Sequence, residues 1–247
     1  MAFVIPKFCT PVLEAYMETP AVSVITVSLP PEAAAFRPGQ FFMVAFDDPA
    51  GPVGNAAFGS KAFSVSCSPT RSPTVFAAEV SQSEYKKRWL ALRPGDDVTM
   101  LGPYGAFTLR ENEKKIAMIA GGIGVTPFLG YLQYIADRKL DIDAVLLYSN
   151  RTPETIAFRK ELDALEKGNP NIRVVNTVTR PNESSQKWDG PTGRINRGMV
   201  EEFVPDYPQR LFHACAGGGM VRDMCALLEQ MGLAKNRIRK EEFTGIA

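Results

Sequence analysis

The spacing of apolar and polar positions changes along the chain, and the change falls near residue 110. Before that point, short apolar or alternating runs are separated by turn residues. Residues 21–29 form a β-branched run that stops at Pro30-Pro31. A turn at Arg37-Pro38-Gly39-Gln40 leads into a strand over 41–46. Further strands are predicted over 62–66, 74–80 and 97–101, and one short helix over 84–92, stopped by Arg93-Pro94-Gly95-Asp96. Residues 47–61, rich in Gly, Pro, Ala and Asn, read as a long loop. About six strands at this spacing predict a small antiparallel barrel.

After residue 110, strands alternate with helix-length amphipathic segments, the rhythm of βαβ units on a parallel sheet. Strands are expected over 116–120, 144–149, 172–178, 210–215 and 237–243. Helices are expected over 127–138, over 153–166 with Thr152 as its cap, over 199–203, and over 220–231 where Gly232 closes it. Residues 188–195 read as an irregular connection. The chain thus divides into a β-barrel domain over 1–111 and an α/β domain over 112–247, with the boundary near 110–113.

Composition narrows the function classes. Of 247 residues, 45% are apolar and 22% charged, ordinary for a globular protein, and the formal net charge is +1. That balance argues against nucleic acid and against a charged membrane surface as partners. No apolar run reaches the ~18 residues of a membrane span, and the first residues lack a secretory core. Cys9, Cys67, Cys215 and Cys225 are scattered, with one histidine in the chain, so a zinc site or a four-cysteine iron–sulfur centre is not expected. Reduced thiols in the cytoplasm are the simplest expectation.

The most distinctive stretch is residues 116–132, an apolar strand followed by Gly121-Gly122-Ile123-Gly124-Val125-Thr126-Pro127. Bare glycines let a ligand approach the backbone. Thr126 is placed to cap the next helix, with Pro127 at its first position. A helix N-terminus behind such a turn suits phosphate, although an ordinary tight α/β turn has the same look. Parallel sheets bind ligands beyond their strands' C-terminal ends, which here carry 121–126, Ser149-Asn150-Arg151 and 215–219. An acidic residue would bind a ribose hydroxyl at the second of these. Asn150 and Arg151 stand there instead, a lean towards a 2′-phosphate and NADPH unless Arg151 is a solvated loop residue. Cys215 precedes three glycines, but neither metal partners nor a placed base accompany it, and His213 lies two residues back on the same strand. With no acid–base set visible, a cofactor is expected to carry the chemistry.

Taken together, five separated motifs resemble the ferredoxin–NADP reductase family, in the family's order from about residue 20 to 245. Lys61-Ala62-Phe63-Ser64 resembles its Arg-x-Tyr-Ser flavin motif. Gly102-Pro103-Tyr104-Gly105 with Phe107 resembles the segment closing the barrel, and 121–127 the nucleotide phosphate loop. Cys215-Ala216-Gly217-Gly218-Gly219-Met220-Val221 is similar to the Cys-Gly-Pro…Met-Val segment beside the nicotinamide. Glu241-Glu242-Phe243 is similar to the C-terminal Glu-x-aromatic element.

The resemblance implies a flavin-binding antiparallel barrel followed by a nicotinamide-dinucleotide-binding α/β domain. It implies that Lys61 serves the flavin phosphate, that Phe63 packs on the isoalloxazine, and that Ser64 bonds near flavin N5. Ala78, Glu79 and Val80 would offer backbone contacts along the ring edge. Gly121, Gly122, Gly124, Thr126, Pro127, Asn150 and Arg151 would hold the dinucleotide. Cys215, with Gly217 and Met220, would border the transfer site, where Ser64, Cys215, Glu241 and Phe243 form the reactive set. Phe243 would cover the flavin until nicotinamide displaces it.

The chain also departs from the family pattern. Lysine replaces the motif arginine and phenylalanine its tyrosine, removing a fork and a hydroxyl. The Gly-x-x-Ser/Thr that holds the flavin pyrophosphate is replaced by Ser83-Glu84-Tyr85-Lys86-Lys87-Arg88-Trp89, whose cations either substitute by charge or form a solvated face. The implied cofactors are FAD, with FMN as the alternative, and NAD(P)H. The implied activity is hydride transfer from NAD(P)H to FAD, then electron transfer to a separate acceptor such as a ferredoxin, an oxygenase component or a larger redox complex. Alternatives are reduction of free flavin or quinone, and a non-catalytic flavin-fold subunit that docks or regulates a partner.

Overall fold

The computed structural model describes residues 5–46 and 59–243. Most of the loop expected over 47–61 therefore lies outside the described residues. Strands β1 (Lys7–Thr19), β2 (Val22–Val27), β3 (Phe41–Phe46), β4 (Lys61–Ser64), β5 (Thr74–Glu79) and β6 (Asp97–Tyr104) form one sheet, in the order β4-β3-β6-β1-β2-β5. Every ladder in it is antiparallel. Just past β4, Val65 bridges Phe76 and the Ser66 N–H donates to Val75 O (2.8 Å). The two edges of the sheet thereby meet, and it curls around Ile25, Val27, Phe42, Val44, Phe76, Val98 and Met100.

Two elements of this sheet went beyond the hydrophobic pattern. β1 carries Pro11, Glu14 and Glu18, and register shifts at Val12/Glu14 and Met17/Thr19 break its alternation, so no period of two survives. A one-turn helix, α1 (Pro31–Ala34), also starts at the prolines that end β2. Helix α2 (Glu84–Ala91) matches its expectation and buries Tyr85 and Trp89 on the barrel; its cap is Ser83 Oγ, which accepts from Lys86 N–H.

Residues 105–114 lead to a second sheet, all parallel, in the order β11-β10-β7-β8-β9. It comprises β7 (Lys115–Gly121), β8 (Asp143–Asn150), β9 (Ile172–Val178), β10 (Leu211–Gly217) and β11 (Ile238–Phe243). Helices α3 (Thr126–Asp137), α4 (Arg159–Gly168), α5 (Arg197–Phe203) and α6 (Gly218–Gln230) connect the strands.

One expected helix is corrected. Residues 153–166 are not continuous: a 3₁₀ turn at Pro153–Thr155 is followed by Phe158 in the left-handed region (φ 58°), and α4 starts only at Arg159. The Phe158 N–H donates to Glu18 Oε1 on β1 (2.8 Å), so a contact with the first domain takes the amide that helix continuation would use.

Helix α3 locks the two sheets together. It is buried along nearly its whole length, and its Phe128, Leu129 and Leu132 share one cluster with Val22, Val24 and Ala77 of the barrel. A Cβ on Gly130 would stand 2.8 Å from Cys67 O, which shows how closely the barrel approaches. At the rim, Gln133 Oε1 accepts from Ser68 N–H (2.7 Å), and Arg71 reaches Asp137 (2.9 Å) and Glu161 (3.0 Å). Among the described residues, no helix is long and apolar enough to cross a membrane.

Candidate active site

The C-terminal ends of β7, β10 and β11 lie side by side in the second sheet, and Ser64, at the end of β4, is close enough to Glu241 to influence it across the seam between the sheets. Register places Cys215 beside both Ala120 and Glu241, and Gly217 beside Phe243. Ser64 is buried, and its hydroxyl lies near enough to the Glu241 carboxyl to act on its proton affinity. Burial raises that carboxyl to about 7, opposed by the Ser64 hydroxyl. Glu241 therefore exchanges a proton near neutral pH, unlike an ordinary surface glutamate.

Cys215 is fully buried, and burial together with the Glu241 carboxylate pushes its thiol well above the ordinary range. It is a compact wall with no thiolate character. His213 is also fully buried, its ring against Phe107 (5.4 Å) and Tyr131 (5.6 Å). Glu113 Oε2 lies 3.6 Å away, longer than a hydrogen bond, and burial keeps the imidazole below its usual pKa. His213 is thus a neutral residue packed against aromatic rings, with no proton-transfer partner at hydrogen-bond distance among the described residues.

The glycine turn is built differently from the sequence expectation. A 3₁₀ turn at Gly122–Val125 runs directly into α3, and the Thr126 hydroxyl donates to Ile123 O (3.0 Å). Thr126 therefore does not cap the helix: the chain is already helical at that point, so its hydroxyl bonds back one turn. The three glycines also divide by role. A Cβ on Gly121 would collide with Met220 Sδ (2.4 Å), and one on Gly124 with Cys215 O (2.1 Å). Those two positions serve packing of the turn on β10 and α6. Gly122 alone has a positive φ (53°) and open space where its Cβ would be, so it is the glycine at which a ligand can meet the backbone.

Beyond β8, Asn150 is buried with its Nδ2 unpartnered, while its carbonyl accepts from Thr179 N–H (2.9 Å). Arg151 is exposed and lines an open cleft of about 450 Å³ with Thr179, Arg180, Gly193 and Arg194. Arg180 is partly engaged by Glu183 (3.3 Å); the Arg151 and Arg194 side chains have no ion pair among the described residues. The sequence reading named Arg151 but missed Arg180 and Arg194. The available signal for Arg194 was the Thr192-Gly193-Arg194 turn inside the irregular connection, which bridges back to β9 at Val178.

On the barrel side, Phe63 is buried with Trp89 stacked on it (4.4 Å, 20°), Tyr85 nearby (5.9 Å), and the Lys86 ammonium 4.8 Å from its centroid. Lys61 and Ala62 are exposed. The Val80 N–H is already donated to Ala21 O (2.9 Å). Alternation along β5 then leaves Glu79, of residues 78–80, with backbone groups turned to the open edge. Four side chains from three strands are thus brought together, namely Ser64 of β4, Cys215 of β10, and Glu241 and Phe243 of β11. The Arg151 cleft lies at the far end of β8, and Lys61 with Lys86 beside Phe63. Among the described residues, no group of His, Cys, Asp or Glu is placed to hold a metal, and all four cysteines are free.

Residues 118–226 match the family of oxidoreductase NAD-binding domains. The chain is 28% identical over 213 residues to a glycine betaine monooxygenase reductase subunit of Chromohalobacter salexigens, covering 84% of this chain and 56% of that protein. It is 33% identical over 138 residues to an NADH-cytochrome b5 reductase-like protein of Arabidopsis thaliana, covering 55% of this chain and 41% of that one. The chain therefore spans about half the length of these relatives. Its fold superposes on a ferredoxin NADP+ reductase from Neisseria gonorrhoeae, solved with FAD and NADP, at a TM-score of 0.80 and 22% identity over 96% of this chain and 98% of that one. The cytochrome b5 reductase domain of Ulva prolifera nitrate reductase gives the same score, at 22% identity over 96% and 97%. The chain has the two-domain fold of the ferredoxin–NADP reductases, and residues 118–226 of its second domain are similar to oxidoreductase NAD-binding domains.

Proposed function

We propose that this chain is a flavin-dependent NAD(P)H oxidoreductase that accepts hydride onto FAD and passes electrons to a separate redox partner, a ferredoxin or an oxygenase component. The observation that carries this reading is the pairing of buried Ser64, at the end of the barrel's β4, with half-buried Glu241, which lies beside Cys215 on the second sheet. The residues fit the two groups. Gly122 leaves room against a helix-leading turn for a pyrophosphate, and the seam presents a hydroxyl and a protonatable carboxyl to a ring. A bound flavin would supply the hydride-accepting ring that the chain's own side chains lack.

The chain contributes position and protons. Gly122 and the N-terminal amides beyond it receive the nucleotide pyrophosphate. Arg151, Arg180 and Arg194 receive a 2′-phosphate, which favours NADPH over NADH. Glu241 holds a proton at the seam and Ser64 orients it, while Phe243 shields the site and Cys215 closes its floor without reacting. Four free cysteines suit a reducing compartment, the cytoplasm. We place the flavin half at 1–111 and the nucleotide half at 112–247, a division supported by the connection over 105–114 between the two sheets.

One observation favours a second reading, a non-catalytic subunit: Phe63 is covered by Trp89 and Lys86 on the surfaces where a flavin ring would stack. Anaerobic mixing decides between them. Flavin-loaded protein whose visible absorbance bleaches rapidly with NADPH supports the reductase. Protein that is reduced by neither NADPH nor NADH, whether or not it takes up flavin, refutes the reductase and selects the subunit.

A further inference from the structure

The three cations of α2 are equivalent in sequence but not in space. Lys87 is exposed, and its Nζ is held by Glu84 (2.7 Å). Arg88 lies over Phe46 (5.2 Å), and the ~100° step per residue places it on the side of the Tyr85–Trp89 face opposite Lys86. Lys86 is half-buried with its ammonium over Phe63. It also feels Lys61, at the start of β4, and Glu79, at the end of β5. Burial lowers its pKa to about 8, Glu79 opposing and Lys61 reinforcing the drop. One ammonium thus lies over the Phe63 ring, partly removed from water, with the Lys61 cation and the Glu79 carboxylate near enough to act on it. Such an arrangement costs energy until an anion arrives to relieve it.

We propose that Lys86, acting with Lys61, binds the phosphate of the flavin nucleotide in this chain, a side-chain charge pair in place of a backbone-and-hydroxyl cradle. The inference rests on the flavin reading above. The lysine stem is flexible, so its Nζ can leave the Phe63 ring for a phosphate at the barrel edge while Trp89 keeps the opposite ring face packed. Phosphate binding and exposure of the stacking face are then one movement. A flavin without phosphate has nothing to draw the ammonium away and must compete with it for Phe63.

Fluorescence titration of the full chain, stripped of flavin, with FAD, FMN and riboflavin tests this. Lys86→Met should weaken FMN and FAD about ten- to hundredfold, the range of one charge-assisted contact. Riboflavin affinity should stay level or rise. Lys86→Arg should restore most of the FMN affinity, and Lys87→Met should change nothing. The salt dependence of FMN binding should also become shallower in Lys86→Met. Equal losses for riboflavin and FMN, or no loss for either, overturn the proposal while leaving the flavin reading intact. Wild-type protein that binds none of the three flavins refutes that reading, and this one with it.

Discussion

The two halves of the proposed site, one for the nucleotide and one for the flavin, are made from different materials. On the nucleotide side, the ligand-facing surface is backbone, and its shape comes from side chains that are missing: Gly121 and Gly124 press the turn onto Met220 and Cys215, leaving Gly122 open. On the flavin side, the surface is built from long side chains, with Phe63, Tyr85 and Trp89 stacked and Lys86 laid across them. A backbone surface is positioned by hydrogen bonding and close packing and has few alternatives, whereas stacked rings and a lysine stem have rotamers to spend. The comparison teaches that one half is preformed and the other adaptable. It predicts that equal-sized changes have unequal effects in the two places.

The largest effect is expected at Gly124. A Cβ there meets Cys215 O at 2.1 Å, Cys215 C at 2.6 Å and Ala216 Cα at 3.0 Å, all backbone of the strand that carries the site. None can move without shifting β10. Gly124→Ala should therefore destabilise by about 3 kcal/mol, the upper part of the usual overpacking range, and weaken nucleotide binding with it. Gly219→Ala is the control: nothing lies within 4 Å of its Cβ and it sits in the first turn of α6, so stability should hold or rise by at most about 0.5 kcal/mol. Urea unfolding of both variants reads the difference, and a Gly124→Ala protein as stable as wild type would break the distinction.

The arginine cleft tests the nucleotide half from its charged end. Arg151 and Arg194 lie on its two walls with no ion pair among the described residues. Arg194→Ala, like Arg151→Ala, should lower NADPH affinity by roughly 1.5–3 kcal/mol, the cost of one charge-assisted contact, with little change for NADH. Equal losses for both nucleotides would show that these side chains read something shared, and would remove the basis for an NADPH preference.

The contrast also explains what the sequence disclosed. Central parallel strands buried on both faces leave nearly unbroken apolar runs, so β7, β8 and β10 were legible from their pattern. The edge strands β9 and β11 are more polar. The exceptions have local causes. Helix 153–166 breaks because Phe158 gives its amide to Glu18, a contact between residues 140 apart that no local pattern contains. β1 escaped notice because two register shifts erase its alternation. At the site, glycines and the Glu241-x-Phe243 element were readable since their chemistry lies in residue type. What α2 does was not readable, because three adjacent cations acquire separate roles only once the helix chooses which side faces Phe63. Arg194 was hidden for a similar reason: it belongs to the cleft only because Thr192 pairs back onto β9.

The smallest effect concerns the seam where the halves meet, and it is visible only through pH. Glu241 is an acid whose folded pKa is raised, to about 7 from an ordinary 4.5, first by burial and against the Ser64 hydroxyl. The fold favours the protonated carboxyl, so this contribution to stability is fully present below about 4.5 and is lost as pH rises through about 7. Half-buried and open to solvent screening, it amounts to about 1 kcal/mol rather than the full linkage of the shift. Glu241→Gln keeps a neutral side chain of the same shape at every pH. The gap in urea midpoint between variant and wild type should therefore widen from about pH 5 to about pH 8, the variant being the more stable at the alkaline end. Comparing the two proteins at each pH cancels the other titrating groups, including the buried His213, whose lowered pKa works in the opposite direction. A constant gap would mean that Glu241 is already ionised near neutrality, and the seam would then hold a charge where a proton reservoir is proposed.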